Sequence, residues 1–285
     1  MMVIRNILFP IDFSDRSHAA APFVYALAKF YNARVILVHA CEAAMPGLPE
    51  SAFITGVCYE SVESDSRRRL QKFADSEFPK LNTLCLASVG YPPRIIASET
   101  AVYGPDLIAM PTHGYSGYRR LLLGSVTARV LRQLRIPVWT DAHVPEPFHR
   151  AHPQPRRILA AVDLGAESSR TAEFALQLGR DTGAEVEVVH AAPPGVTLPA
   201  AAGARLQAIL ESAASARAVQ LEQNPSNIDL MMGDDNPAVR LRDLALRRRT
   251  DLMVIGRGAI RSRLDRFAAH AYEIVRESPC PVISV

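Results

Sequence analysis

Two glycines and a hydroxyl residue at a set spacing are the groups of this chain best suited to hold a ligand. Gly114 is followed by nine residues, then by Gly124, and Ser125 comes directly after. Glycines let a backbone approach an anion closely and direct successive N–H groups toward it. A helix N-terminus adds a partial positive charge. This pattern therefore predicts a binding segment for a phosphate chain.

The elements around this segment place it at the edge of a sheet. An apolar run at 105–110 predicts a short buried strand, and apolar residues with helical spacing from 126 to 134 predict a helix that ends before Pro137. Open parallel sheets bind ligands beyond the carboxyl ends of their strands. The glycine segment is expected at such a strand end.

Other chemistries have no matching pattern in the chain. It contains no Gly-x-x-x-x-Gly-Lys-Ser/Thr loop, no Gly-x-Gly-x-x-Gly after the first strand, and no Gly-x-Ser-x-Gly elbow. Cys41, Cys58, Cys85 and Cys280 show neither Cys-x-x-Cys pairing nor a histidine spacing suited to zinc. No catalytic residue and no metal site are predicted, and unpaired thiols of this kind are typical of a reducing compartment.

Composition narrows the class of protein. The chain has 285 residues, enough for one large or two ordinary domains. A net charge of +3 gives no support for nucleic-acid binding. No apolar run reaches the length of a membrane span, and the first residues lead into a strand rather than a signal peptide. We expect a cytoplasmic protein with no membrane partner.

Strand and helix patterns alternate through the first half of the chain, which predicts an α/β protein with a doubly wound parallel sheet. The predicted strands are 3–11, 34–40, 81–89, 105–110 and 137–140, and the predicted helices are 16–31, 62–78, 92–103 and 126–134.

The same plan begins again in the second half. Asp12 and His39 recur as Asp163 and His190, each 151 residues later. The apolar run 251–255 repeats 106–110 at a slightly shorter offset. The chain is therefore an internal duplication, with expected domains at 1–141 and 156–285 joined by a proline-containing linker at 142–155.

The second copy lacks the glycine pattern. Counted from the ends of the matching strands, Ala259, Ala269 and His270 stand where the first copy has Gly114, Gly124 and Ser125. Alanine restricts a backbone that must approach a phosphate. We expect the second copy to bind a phosphate ligand poorly or not at all. A run of arginines from 240 to 249 predicts a solvated helix face.

The spacing Gly-x9-Gly-Ser after an apolar strand resembles the ATP-binding loop of the universal stress protein family. The family pattern begins with one more glycine, where this chain has Pro111. The resemblance covers both halves. It implies two tandem five-stranded parallel sheets of the Rossmann-like, adenine nucleotide alpha hydrolase-like type, each with strand order 3-2-1-4-5.

The resemblance also implies the ligand. It points to ATP, with the Mg²⁺ that polyphosphates usually bring. Carried onto this sequence, the cofactor-binding positions are Pro10, Asp12, Ala40, Met110, Pro111, His113, Gly114, Gly124, Ser125, Val126 and Thr127.

Some of these residues have a simpler structural interpretation. Asp12 either contacts a ribose, which we favour, or only caps the following helix. His113 either reaches phosphate or lies exposed in the loop. Ser125 and Thr127 either accept a phosphoryl group or cap their helix. His39 closes a buried strand, and we interpret it as a structural residue with a satisfied hydrogen bond.

The functional hypothesis that follows is an ATP-binding stress-response sensor or regulator. Two alternatives remain open: a weak ATPase or self-phosphorylating enzyme, and a nucleotide-free dimerisation scaffold. In the resembling family, single domains pair through their last strands, so strands 137–140 and 281–285 are expected to pair within this chain as an internal pseudo-dimer. The protein partner, the stress and any further homodimer are left open.

Overall fold

The computed structural model describes residues 4–41, 56–111, 124–141, 154–165, 167–192, 194–196, 200–216, 228–231, 233, 235–257 and 266–285. Most of the predicted linker, residues 142–153, lies outside this part of the chain. The chain forms two compact units, which we call the N-terminal unit (described residues up to 136) and the C-terminal unit (described residues from 137 onward).

The N-terminal unit is a parallel sheet with helices, as predicted. Its strands lie in the order β3-β2-β1-β4, and the pairs of β1 with β2 and β4, and of β2 with β3, are parallel. Its elements are β1 (Asn6–Pro10), α1 (Asp15–Tyr31), β2 (Arg34–Cys41), α2 (Gly56–Glu77), β3 (Thr83–Val89), α3 (Pro92–Tyr103), β4 (Leu107–Met110) and α4 (Ser125–Gln133).

The C-terminal unit repeats this plan and confirms the predicted strand order. Its elements are β5 (Val138–Thr140), β6 (Arg157–Ala161), α5 (Ser168–Thr182), β7 (Glu185–Ala191), α6 (Ala202–Ala216), β8 (Ile228–Met231), α7 (Pro237–Arg248), β9 (Leu252–Ile255), α8 (Arg266–Glu277) and β10 (Val282–Ser284). Strands β8-β7-β6-β9-β10 follow in that order, which is 3-2-1-4-5 in the numbering of one repeat.

Strand β5 pairs with β10 inside the C-terminal unit. The two strands run antiparallel, and Trp139 stands opposite Ile283. Trp139 is only 2% exposed. The hydroxyl of Thr140 donates a hydrogen bond of 3.3 Å to the carbonyl oxygen of Val282. The expected pairing of strands 137–140 and 281–285 is therefore present.

Local sequence explains how the first helix begins and ends. Ser14 precedes α1 in an extended conformation, and its side chain accepts a hydrogen bond from the N–H of Ser17. Asn32 ends the helix in the left-handed conformation, with its N–H bonded to the last carbonyl groups. A face that includes Ala20 and Val24 is buried against the sheet side of the unit.

The duplication extends to individual hydrogen bonds. Asp106, just before β4, accepts hydrogen bonds of 2.7 and 3.0 Å through Oδ2 from the N–H groups of residues 5 and 6. Asp251, just before β9, accepts hydrogen bonds of 2.8 and 2.9 Å in the same way from residues 156 and 157. In each unit, the aspartate that precedes the fourth strand of the repeat therefore holds the start of the first strand beside it.

The arginine run differs in part from its prediction. Arg247, Arg248 and Arg249 are exposed, as a solvated face requires. Arg240 is instead 8% exposed, and its guanidinium donates to the carbonyl oxygens of Met231 (2.7 Å) and Ala192. These carbonyls end β8 and follow β7, so Arg240 ties α7 to the carboxyl edge of the sheet. None of the described helices has the length and apolar character needed to cross a membrane.

Candidate functional site

Three of the predicted ligand-contacting residues stand at one edge of the N-terminal sheet. Pro10 ends β1, Met110 ends β4, and Ala40 is the penultimate residue of β2. Because β1 pairs in parallel with both neighbours, these strand ends lie side by side. Met110 is buried, while Pro10 and Ala40 are half-buried. This edge is where a doubly wound sheet binds its ligands.

Asp12 uses one carboxylate oxygen to build the turn from β1 into α1. Its Oδ1 accepts hydrogen bonds from the N–H of Ser14 (3.0 Å) and from the hydroxyls of Ser14 (2.6 Å) and Ser17 (2.7 Å). Among the described residues, none donates to Oδ2. The capping role is therefore directly visible, and Oδ2 is the oxygen through which Asp12 would contact a ligand.

His39 follows the structural interpretation made from the sequence. Its Nδ1 lies 2.7 Å from the carbonyl oxygen of Ile11, so Nδ1 carries the hydrogen. The ring packs on Phe13 at 4.6 Å between centroids, and the guanidinium of Arg69 lies 4.1 Å from the Phe13 ring centre. Burial lowers the pKa of His39 below its ordinary 6.5; Arg69 adds to this, while the Ile11 carbonyl and Asp12 oppose it. The neutral imidazole therefore links the end of β2 to the residue that follows β1.

The beginning of α4 is held beside the end of β4. Thr127 is 4% exposed, and its Oγ1 donates a hydrogen bond of 3.1 Å to the carbonyl oxygen of Pro111. Gly124 precedes the helix with φ −54° and ψ 140°, and no side chain caps the first turn. Ser125 is exposed and Val126 is half-buried. The residue at the capping position, Gly124, therefore offers no side-chain acceptor to the backbone N–H groups of the first turn.

The remaining predicted contacts, His113 and Gly114, lie outside the described residues, which stop at 111 and resume at 124. Within the described part, the structure brings Pro111 and Thr127 together and gathers Asp12 with its serines. No described hydrogen bond joins these two groups. No cluster of metal-ligating side chains occurs among the described residues either.

A cleft of about 90 Å³ opens at the corresponding edge of the C-terminal unit. It lies at the carboxyl ends of β6, β7 and β9 and is closed by the first turns of α5 and α7 and by α8. Apolar side chains make most of its wall, with Asp163, Glu167, His190 and Arg257 among the polar residues. The sequence had directed attention to the first copy, so this cleft was not predicted.

A single family model matches both repeats, at residues 4–140 and 155–285, and its description is the universal stress protein family. The chain belongs to this family. A universal stress protein from Methanocaldococcus jannaschii is 30% identical over 138 residues, which cover 47% of this chain and 79% of that protein. Another from Thermus aquaticus is 29% identical and covers 48% of this chain and 97% of its own.

Solved universal stress protein structures share the full-length fold. One from Archaeoglobus fulgidus matches with a TM-score of 0.73 at 17% identity, covering 99% of this chain and 98% of its own. One from Pseudomonas aeruginosa, described as putative in its name, matches with a TM-score of 0.61 at 17% identity, covering 99% and 93%. Because each of these matches covers both repeats, they establish that this universal stress protein has a tandem two-repeat fold.

Sequence reasoning missed one feature that both universal stress repeats share. Phe13 and Leu164, each directly after the turn aspartate, adopt left-handed backbone with φ of 59° and 61°. Asp163 repeats the role of Asp12, because its Oδ1 accepts from the N–H of Gly165 (2.7 Å) and the hydroxyl of Ser168 (2.8 Å). The spacing Asp-x4-Ser in both copies was the available signal for this turn.

Proposed function

We propose that this universal stress protein binds ATP in its N-terminal unit and signals through the bound state. The observation that carries the proposal is the hydrogen bond of 3.1 Å from Thr127 to the Pro111 carbonyl. It supports a site in which the N-terminus of α4 stands at the carboxyl end of β4. Gly124 and Ser125 then lie where a phosphate chain can meet backbone N–H groups and a hydroxyl.

The opposite end of the site would take the nucleoside part of the ligand. Asp12 holds its turn through Oδ1, so Oδ2 is available to accept from a ribose hydroxyl. Pro10 and Ala40 stand half-buried at neighbouring strand ends and offer apolar contacts to a base. Nucleotide sites in doubly wound sheets commonly have this arrangement, in which a carboxylate contacts the ribose and a glycine-rich backbone contacts the phosphates.

Family membership supports a role in the response to stress. In the proposal, nucleotide occupancy is the signal that a protein partner reads. ATP bound in this way would be accompanied by Mg²⁺ coordinated by its phosphate oxygens.

The direct test is calorimetric titration of Mg-ATP into the wild type and into a matched pair, Gly124→Asp and Gly124→Asn. Gly124 has φ −54°, so either side chain fits without backbone strain, and both residues are favoured before a helix. They are nearly equal in size, but Asp carries a negative charge where Asn carries a neutral NH₂ donor. We expect one ATP per chain in the wild type, loss of binding in Gly124→Asp, and weaker but measurable binding in Gly124→Asn.

Other outcomes would favour other functions. Absence of ATP binding in the wild type would overturn the proposal and favour a nucleotide-free scaffold. Phosphate release, or a mass increase of one phosphoryl group, would instead favour the enzyme alternative. In that case Ser125 is the candidate acceptor, because it is exposed, whereas Thr127 is buried and donates its hydroxyl to Pro111.

A further inference from the structure

Five arginines lie together at the amino-terminal edge of the C-terminal sheet, opposite the edge that carries the cleft. The start of β6 and the end of α7 meet there, because Nη1 of Arg157 donates a hydrogen bond of 3.2 Å to the carbonyl oxygen of Arg248. Asp251 holds the same segments together through the N–H groups of residues 156 and 157. All five side chains are exposed, and we call them the arginine surface: Arg156, Arg157, Arg247, Arg248 and Arg249.

Carboxylates neutralise only part of the arginine surface. Nε of Arg248 lies 3.4 Å from Oε2 of Glu187, and Nε of Arg157 lies 3.9 Å from Oε2 of Glu185. These two arginine side chains nevertheless remain 53% and 51% exposed. Among the described residues, no acidic side chain pairs with the other three arginines of the surface. Several like charges are therefore held at one place, where they repel one another.

The first repeat has the same backbone at this place without the arginines. Asp106 makes the same two backbone contacts there as Asp251 makes in the second repeat. The last turn of α3, which corresponds to α7, contains no basic residue. The positions that match the arginine surface are Arg5, Asn6, Val102, Tyr103 and Gly104. Cations can stabilise the end of a helix, but the fold of a repeat does not require these arginines.

Arg249 occupies a backbone position that favours glycine. It ends α7 with φ 54° and ψ 49°, close to the φ 51° and ψ 57° of Gly104 at the end of α3. Left-handed backbone strains a residue with a side chain, whereas glycine adopts it freely. No described contact of the Arg249 side chain offsets this strain. The position therefore supplies an exposed guanidinium rather than stability.

The chemistry of the surface favours an acidic segment of a protein. A guanidinium matches a carboxylate with two parallel hydrogen bonds. Leu246 is 47% exposed beside Arg247 and adds an apolar contact of the kind that protein interfaces contain. Glu185, Glu187 and Asp251 interrupt the positive charge at the same edge. The closely spaced phosphates of a nucleic acid would meet these carboxylates, whereas a peptide can space its acidic residues between them.

We propose that the arginine surface binds an acidic segment of a protein partner, whose carboxylates pair with the guanidinium groups of Arg156, Arg247 and Arg249. The surface lies at the edge of the sheet opposite the carboxyl ends of the strands. A partner bound there leaves those strand ends uncovered. The proposal therefore does not depend on the ATP site proposed for the N-terminal unit.

The test is titration of the full chain into a fluorescein-labelled octaglutamate peptide, followed by fluorescence anisotropy at about 50 mM and about 300 mM salt, because salt screens exposed charges. The informative variant combines Arg247→Gln with Arg249→Gly, which removes two guanidinium groups and restores the glycine of the first repeat. The matched control combines Arg67→Gln with Arg94→Gln, two exposed arginines on helices of the N-terminal unit. Both variants lower the net charge by the same amount.

We expect saturable binding of one peptide per chain at the lower salt concentration and weaker binding at the higher one. The informative variant should bind at least tenfold more weakly, and the control should bind like the wild type. Urea denaturation of Arg249→Gly alone should show a midpoint at least as high as that of the wild type, because glycine relieves the left-handed strain. Loss of peptide binding without loss of stability separates recognition from a structural role.

The proposal is overturned if the wild type does not bind the peptide, or if the control loses as much affinity as the informative variant. A lower urea midpoint in Arg249→Gly would also contradict it, since Arg249 would then serve the fold. Parallel titrations with a short DNA duplex and with phosphatidylserine vesicles test the class of partner. Tighter binding of either one than of the peptide, lost in the informative variant, would assign the surface to that class instead.

Discussion

The buried hydroxyl of Thr127 donates a hydrogen bond of 3.1 Å to the backbone carbonyl of Pro111. This bond joins the third residue of α4 to the residue that follows β4, across a separation of 16 residues. It thereby places a helix N-terminus without a side-chain cap beside a strand end. This bond, together with the burial of Val130 and Leu131, holds the start of α4 at the proposed phosphate segment.

Replacing Thr127 with valine tests this anchor. Val keeps the side-chain shape but leaves the Pro111 carbonyl without its donor, so we expect a loss of about 1–2 kcal/mol in the free energy of unfolding. Urea denaturation of the purified protein measures it. Thr127→Ser, which retains the hydroxyl, should lose less. Equal stability of Thr127→Val and the wild type would show that the bond does not hold the helix.

Asp12 allows stability to be separated from ligand contact. Asp12→Ala removes the acceptor for Ser14 and Ser17 and should cost about 1.5–3 kcal/mol, the range for hydrogen bonds to a charged group. Asp12→Asn keeps an acceptor oxygen and should cost less, while weakening ATP binding if Oδ2 meets the ribose. Denaturation and calorimetry on both variants give the two quantities. An Asp12→Asn variant with unchanged ATP affinity would restrict Asp12 to the turn.

His39 should make stability depend on pH. Burial is the main cause that lowers the pKa of His39 from its ordinary 6.5. Below pH 6.5 the unfolded chain therefore takes up a proton that the folded chain resists, and stability falls as pH decreases. Comparison of urea midpoints at pH 7.5 and 5.5 should show a smaller loss in His39→Asn than in the wild type. An identical loss in both proteins would assign the pH dependence to other groups.

Arg240 is predicted to be the arginine of α7 that matters most for stability. Its guanidinium donates to carbonyl oxygens at the ends of two strands, so Arg240→Met removes both bonds; the Ala192 carbonyl loses this donor, while the Met231 carbonyl keeps the N–H of Ala192. We expect a loss of about 2–3 kcal/mol, measured by thermal or urea unfolding. Arg247→Met, on the exposed part of the same helix, is the matched control and should change little. Similar effects of the two changes would contradict the structural role of Arg240.

The order and type of the elements were predictable because apolar residues recur along the chain with the period of a helix or a strand. The apolar run before Met110 predicted β4, and Asn32 predicted the end of α1. The recurrence of Asp12 and His39 as Asp163 and His190 predicted the duplication, and these residues make the same bonds in both units. The partners of the carboxylates were not predicted, because Asp106 and Asp251 meet N–H groups about a hundred residues away.

The sequence by itself determined the α/β class and the tandem repeat, since both follow from local patterns that the chain carries twice, whereas the strand order was implied by the resemblance to the universal stress protein family. Only the tertiary structure decided that β5 is a strand of the C-terminal sheet, that Arg240 is buried, and that Asp163 and His190 line one cleft. Each of these depends on contacts between segments far apart in the chain. A pattern of neighbouring residues carries no information about such contacts until the strands are assembled.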